Sequence, residues 1–235
     1  MVCAALPVAA PPELKAALEA QSRPPGESVE GGSPREALAA AMGSGAEWIW
    51  QLDASVVPEP PALERLLEAL DRLGPLPAPA LLASKVVSED GSLDPSSLPV
   101  PDVRDVDHAV AAFGQRVLVV RVARSGSLLI RRSALERHSP RREPDMEWTA
   151  RLLKHELGLL VPASVVVRRS TAARPEAAGL VRLLVSDALE PAEKPWFALR
   201  LAEVAAGAAR RAARGARPRR SRHWGSDGGS PGSTR

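Results

Sequence analysis

Along most of the chain, short apolar runs alternate with stretches of helical period, and this alternation restricts the fold more than any other feature. An apolar run buried on both faces suits a strand of a covered sheet, and a helix between two runs returns the chain to the sheet. The runs are "CAALPV", "AEWIWQL", "LLASKVV", "RVLVVRVARSGSLLIRR", which holds one or two strands, and "LLVPASVVVRR". Between them lies "PPELKAALEAQ", with Leu14, Ala17 and Leu18 on one face. "SPREALAAAM" has Ser33 as N-cap, Pro34 at the first helical position and Glu36 three residues after the serine, which is a capping box. "PALERLLEALDRL" aligns Leu63, Leu66, Leu67, Leu70 and Leu73. "PDMEWTARLLKHELG" predicts a helix with Pro144 near its start and Gly158 past its end. The expected class is α/β, a layered sheet with flanking helices.

Residues 95–115 are proline-rich and read as a surface loop, and residues 172–207 read as a C-terminal helical segment. From about Ala208 the chain turns to Arg, Gly, Ser and Pro, a composition expected to stay disordered. The expected division is therefore a folded domain over 1–207 and an Arg-rich tail over 208–235.

Aromatic residues make up 3% of the 235 and Tyr is absent, so the core has to be built from Leu, Val and Ala. The 27 arginines against four lysines read as coding bias, which removes isolated arginines as evidence of function. Cys3 is the single cysteine, which excludes an intramolecular disulfide or a Cys-based zinc site. The four histidines lack metal-ligand spacing. No apolar run approaches the roughly 20 residues that span a bilayer, and the N-terminal stretch lacks a basic n-region. A reduced, cytoplasmic setting is expected.

Four constellations carry possible chemistry. In an open α/β sheet, ligands bind beyond the carboxyl ends of strands, and Asp53 stands at the end of "EWIWQL". A carboxylate there can hold a divalent cation that neutralises a diphosphate, or it can simply cap the turn before "PEPPALERL". "EPDMEW" places Asp145 and Glu147 at a helix start, as a general base toward an acceptor hydroxyl or as an ordinary acidic first turn. "VEGGSP" offers two glycines for close approach of a ligand and Glu30 for a base or ribose, or else a plain tight loop. The stretch "RRAARGARPRRSR" holds seven arginines. Residues 210–235 carry +7 and residues 1–209 carry −4 of the net +3. Such a tail suits an anionic surface or solvation; nucleic acid is poorly supported, because no aromatic interleaves the arginines before Trp224.

Taken in order, these pieces resemble the family 2 glycosyltransferases of GT-A fold, most strongly from Gly31 to Arg169. "REALAAAMGSGAEWIWQLDASVVPEPPALERLLEAL" is similar to the family's helix, apolar strand, Asp-rich metal motif and helix. "SGSLLIRRSALERH" resembles its acceptor-side strand, and "EPDMEWTARLLKHELGLLVPASVVVRR" the segment that carries its base. The resemblance implies a nucleotide-sugar donor and a glycan or lipid-linked acceptor. It implies Mg²⁺ or Mn²⁺ and the diphosphate at Asp53, a base at Asp145 with Glu147 in reserve, and the nucleoside at Glu30. "LPVAAP", with Pro7, stands where the family's first donor loop lies. The motifs are reduced: Ala54 and Ser55 replace further acids, and Pro144 precedes Asp145 where the family carries a Glu-Asp pair. The alternative is a degenerate member that binds a partner or sugar nucleotide without turnover. The resemblance also suggests that the tail holds the protein at an anionic inner membrane face.

Overall fold

The structure, a computed structural model, describes residues 1–73, 77–94, 117–123, 126–169, 176–195, 197–199, 201–202 and 205–206. The first half runs β1 (Val2–Pro7), α1 (Pro12–Glu19), β2 (Glu27–Gly31), α2 (Pro34–Gly43), β3 (Trp48–Leu52), β4 (Val56–Pro58) and α3 (Ala62–Leu73). The second runs β5 (Leu81–Ser88), β6 (Leu118–Val119), β7 (Ser127–Arg131), α4 (Arg132–Arg137), α5 (Met146–Leu152), β8 (Gly158–Arg168) and α6 (Glu176–Val185). The strands form one sheet in the order β2-β1-β3-β7-β5-β8-β4, and β6 also pairs with β8. Strands β2, β1 and β3 run parallel, as do β5 and β8, while β7 lies antiparallel between the two groups.

Side-chain alternation sends the two faces of the sheet into two cores. Ile49, Leu128 and Ile130 pack with Leu38 of α2, Leu135 of α4 and Leu152 of α5. Trp50 and Leu129 pack with Leu14 of α1 and Leu63 and Leu66 of α3. A third cluster joins Met146 and Ala150 of α5 to Leu180 and Leu183 of α6 and to Phe197. Local signals explain the helix starts: the Ser33 side chain accepts from the Glu36 N–H at 3.3 Å, as a capping box requires.

Two sequence expectations are corrected in detail. Helix α5 ends at Leu152, and Gly158 opens β8 instead of closing the helix; there it makes room for the Leu153 side chain, which a Cβ would approach to 2.6 Å. On α3, Ala69 is buried while Leu67, Leu70 and Leu73 are only partly covered. Strand β8 contains Pro162, and its register with β5 jumps from Ser84–Val161 to Lys85–Val165. Proline cannot donate to the ladder, so the chain bulges there. The bulge buries Ser164, whose hydroxyl donates to the Ala62 carbonyl at 2.8 Å and bonds the Ser84 hydroxyl at 2.8 Å. Ser84 in turn bonds Ser127 at 2.7 Å, and Ser127 accepts from the Trp50 indole at 2.9 Å. The expected loop over 95–115 and tail over 208–235 lie outside the described residues. Among those described, no helix is long and apolar enough to cross a membrane.

Candidate active site

Strands β1, β2 and β3 point their carboxyl ends to one edge of the sheet. At this edge Pro7 pairs with Gly31, and the Val8 N–H donates to the Gly31 carbonyl at 2.7 Å. Glu30, exposed on the edge strand β2, forms an ion pair with Lys15 at 2.5 Å. A Cβ on Gly31 would lie 2.2 Å from the backbone nitrogen of Ala37. The close approach that "VEGGSP" allows is therefore used by helix α2 of the same chain at Gly31.

Asp53 follows the last residue of β3. Its N–H donates to the Gly126 carbonyl at 2.9 Å, which locks the strand tip to the start of β7. Its Oδ1 accepts both the N–H of Ser55 at 2.9 Å and the Ser55 hydroxyl at 2.8 Å. That is an Asx turn closed on itself. The Ser55 hydroxyl then accepts from Arg168 Nη1 at 3.0 Å, and Arg168 Nε donates to Asp94 Oδ2. Arg168 ends β8, opposite Val56. Asp94 is brought in because the chain turns back after β5 and its N–H donates to the Val86 carbonyl at 3.0 Å. Within that turn the Ser92 hydroxyl and N–H hold the Asp90 carboxyl below its ordinary pKa. Arg168 and Asp94 are 16% and 9% exposed, so this guanidinium is held in one orientation. Sequence reasoning missed both residues. Four segments far apart in the chain thus converge on one network beside Asp53.

The network answers whether these residues suit Mg²⁺ or Mn²⁺. Of the two carboxylates in the network, Asp94 is ion-paired with Arg168, and the Asp53 oxygen that faces Ser55 already accepts two hydrogen bonds. Ser55, in the place of a second acid, is bonded to a guanidinium, whose charge repels a cation. Among the described residues no group of three or more His, Cys, Asp or Glu could hold a metal ion. The side chains at Asp53 do not fit a divalent cation held by the protein.

Asp145 is the N-cap of α5, and its Oδ1 accepts the Trp148 N–H at 3.0 Å. Its Oδ2 lies 3.4 Å from Arg182 of α6. The helix start is pinned from two sides: the Trp148 indole donates to the His138 carbonyl at 2.6 Å, and the Thr149 hydroxyl donates to the Ala123 carbonyl at 2.6 Å. Glu147 pairs with Arg151 at 2.9 Å one turn on, and this hydrogen bond, with Asp187 nearby, raises the Arg151 pKa. Glu143 accepts the Arg35 N–H at 3.2 Å, in the first turn of α2. The segment carrying Asp145 is thereby tied to the helix that follows Glu30 and Gly31.

No protein-family model and no curated protein sequence matches the chain. Solved structures do. The crystal structure of S. aureus TarS aligns with a TM-score of 0.52 at 12% identity, over 85% of this chain and 42% of that one. TarS 1–349 in complex with UDP-GlcNAc aligns at 0.52 and 13% identity, over 82% of this chain and 69% of that one. The chain thus spans less than half the length of the longer TarS chain. At such identities the likeness is one of fold, and the fold is a GT-A-like α/β sheet with flanking helices.

Proposed function

We propose that the chain is a glycosyltransferase that moves a sugar from a nucleoside-diphosphate donor to a hydroxyl of a glycan or lipid-linked acceptor. The observation that carries this reading is the fixed carboxylate of Asp53 at the tip of β3, at the carboxyl edge of a GT-A-like sheet. The TarS 1–349 structure of this fold has UDP-GlcNAc bound, which supports a nucleotide sugar as donor here. Glu30, with Pro7 beside it, faces the nucleoside. Asp145 takes the proton of the acceptor hydroxyl, whose oxygen bonds the anomeric carbon as the bond to the diphosphate breaks. Glu147 is the second candidate for this role. A divalent cation, if present, would rest on water and donor oxygens more than on the protein. We place the chain in the cytoplasm, with the seven arginines of 210–222 attracting an anionic inner membrane face at about 1 kcal/mol each near the surface.

Incubation with a panel of nucleotide sugars and release of the nucleoside diphosphate tests the proposal. Failure to bind or turn over any of them contradicts it. A second reading, binding without turnover, is favoured by Asp53-Ala54-Ser55 in place of several acids and by the Arg182 cation on Asp145. Binding with no donor hydrolysis or transfer would select it.

A further inference from the structure

Among the described residues at the Asp53 edge, the guanidinium of Arg168 has a placement that the proposed donor chemistry leaves unexplained. It is 16% exposed, one donor is on Asp94 and one is on the Ser55 hydroxyl. Its Nη2 end donates to none of the described side chains. A planar fork held at two points, with its third donor engaged by none of the described side chains, is preorganised for a phosphate oxygen. Asp53 contributes to that placement, since it holds the Ser55 hydroxyl at 2.8 Å.

We infer that Arg168 binds the diphosphate of the donor directly, by charge-assisted hydrogen bonds, in the place a divalent cation would otherwise take. Donor binding at this edge then needs no metal. The inference rests on the nucleotide-sugar reading. Asp94 and Ser55 are positioning residues in it: Asp94 orients the guanidinium, and Ser55 passes the Asp53 anchor on to it.

Titration calorimetry of the full chain with UDP and with uridine, in EDTA and in Mn²⁺, tests this. Wild type is expected to bind UDP with nearly equal affinity in EDTA and Mn²⁺. Arg168→Gln is expected to weaken UDP binding by roughly 10- to 100-fold, the scale of charge-assisted hydrogen bonds, and to leave uridine binding unchanged. Arg169→Gln, the same charge change on a neighbour paired with Glu89 at 3.5 Å, is the control and should bind UDP normally. Arg168→Lys keeps the charge and should fall between wild type and Arg168→Gln, which keeps the inference testable if the glutamine variant does not fold. Loss of wild-type UDP binding in EDTA overturns the inference, as does full UDP binding by Arg168→Gln. Failure of wild type to bind any nucleoside diphosphate or nucleotide sugar under either condition overturns the donor reading itself.

Discussion

Asp145 caps α5 and is the proposed base, and substitution separates the two. As the N-cap of α5 it accepts one backbone hydrogen bond, which an Asn side chain accepts equally well. As a base it must take a proton, which Asn cannot. Asp145→Asn should therefore leave the melting temperature near wild type and lower transfer by about 10²-fold or more. Asp145→Ala should also cost about 1 kcal/mol of stability. Melting curves beside initial rates check both, and loss of rate in Glu147→Gln alone would move the base to Glu147. Gly31 is the other residue with a sharp expectation. Gly31→Ala puts a methyl 2.2 Å from a backbone nitrogen, so α2 has to shift. Overpacking of this kind should cost about 1–3 kcal/mol in urea unfolding. The placement of Asp53 at a strand end and of Asp145 and Glu147 at a helix start was legible in the sequence, because each is a local pattern. Arg168 and Asp94 were not, since one arginine among 27 carries no local mark and its partners lie 74 and 113 residues away.

Among the elements, the buried hydroxyl chain across β3, β7, β5 and β8 makes a specific demand. The Trp50 indole can only donate and the Ala62 carbonyl can only accept, so each serine must donate in one direction: Trp50 to Ser127, Ser84, Ser164 and finally Ala62. Ser84→Ala removes the middle link and leaves the Ser127 donor and a Ser164 acceptor unpaired in the interior. It should cost about 1–3 kcal/mol in urea unfolding. Ser28→Ala, at an exposed position on β2, should stay within about 0.5 kcal/mol. The apolar run of β8 was legible as a strand. The bulge at Pro162 was signalled by the proline alone, but its use, burying Ser164 against α3, depends on the neighbouring strand.

For the whole molecule, Cys3 links stability to alkaline pH. Burial, together with the nearby Glu27, raises its thiol pKa, and the Ser44 hydrogen bond only partly offsets this. A free thiol ionises near about 8.5, so above that pH the unfolded chain loses a proton that the folded chain keeps. The contribution is complete below that pH and is lost as pH rises through the folded value. Urea midpoints measured from about pH 8 to about pH 10 should fall more steeply for wild type than for Cys3→Ala. The Arg-rich tail gives a second expectation at this scale. A chain ending at residue 207 should melt like the full chain and lose salt-sensitive co-sedimentation with anionic liposomes, because only the −4 body is left to meet the surface. The sequence by itself determined the α/β class, the helix start at Ser33, and the acids at strand and helix ends. Periodicity, capping and burial are properties of neighbouring residues, and each is written within a few positions. Only the tertiary structure decided that β7 enters antiparallel between β3 and β5, that β5 pairs with β8, and that Asp53 meets Arg168 through Ser55. Backbone ladders are formed alike by almost any residues, so which strand edges meet is settled by how the helices cover the sheet. The Arg168 network exists only once those edges have met.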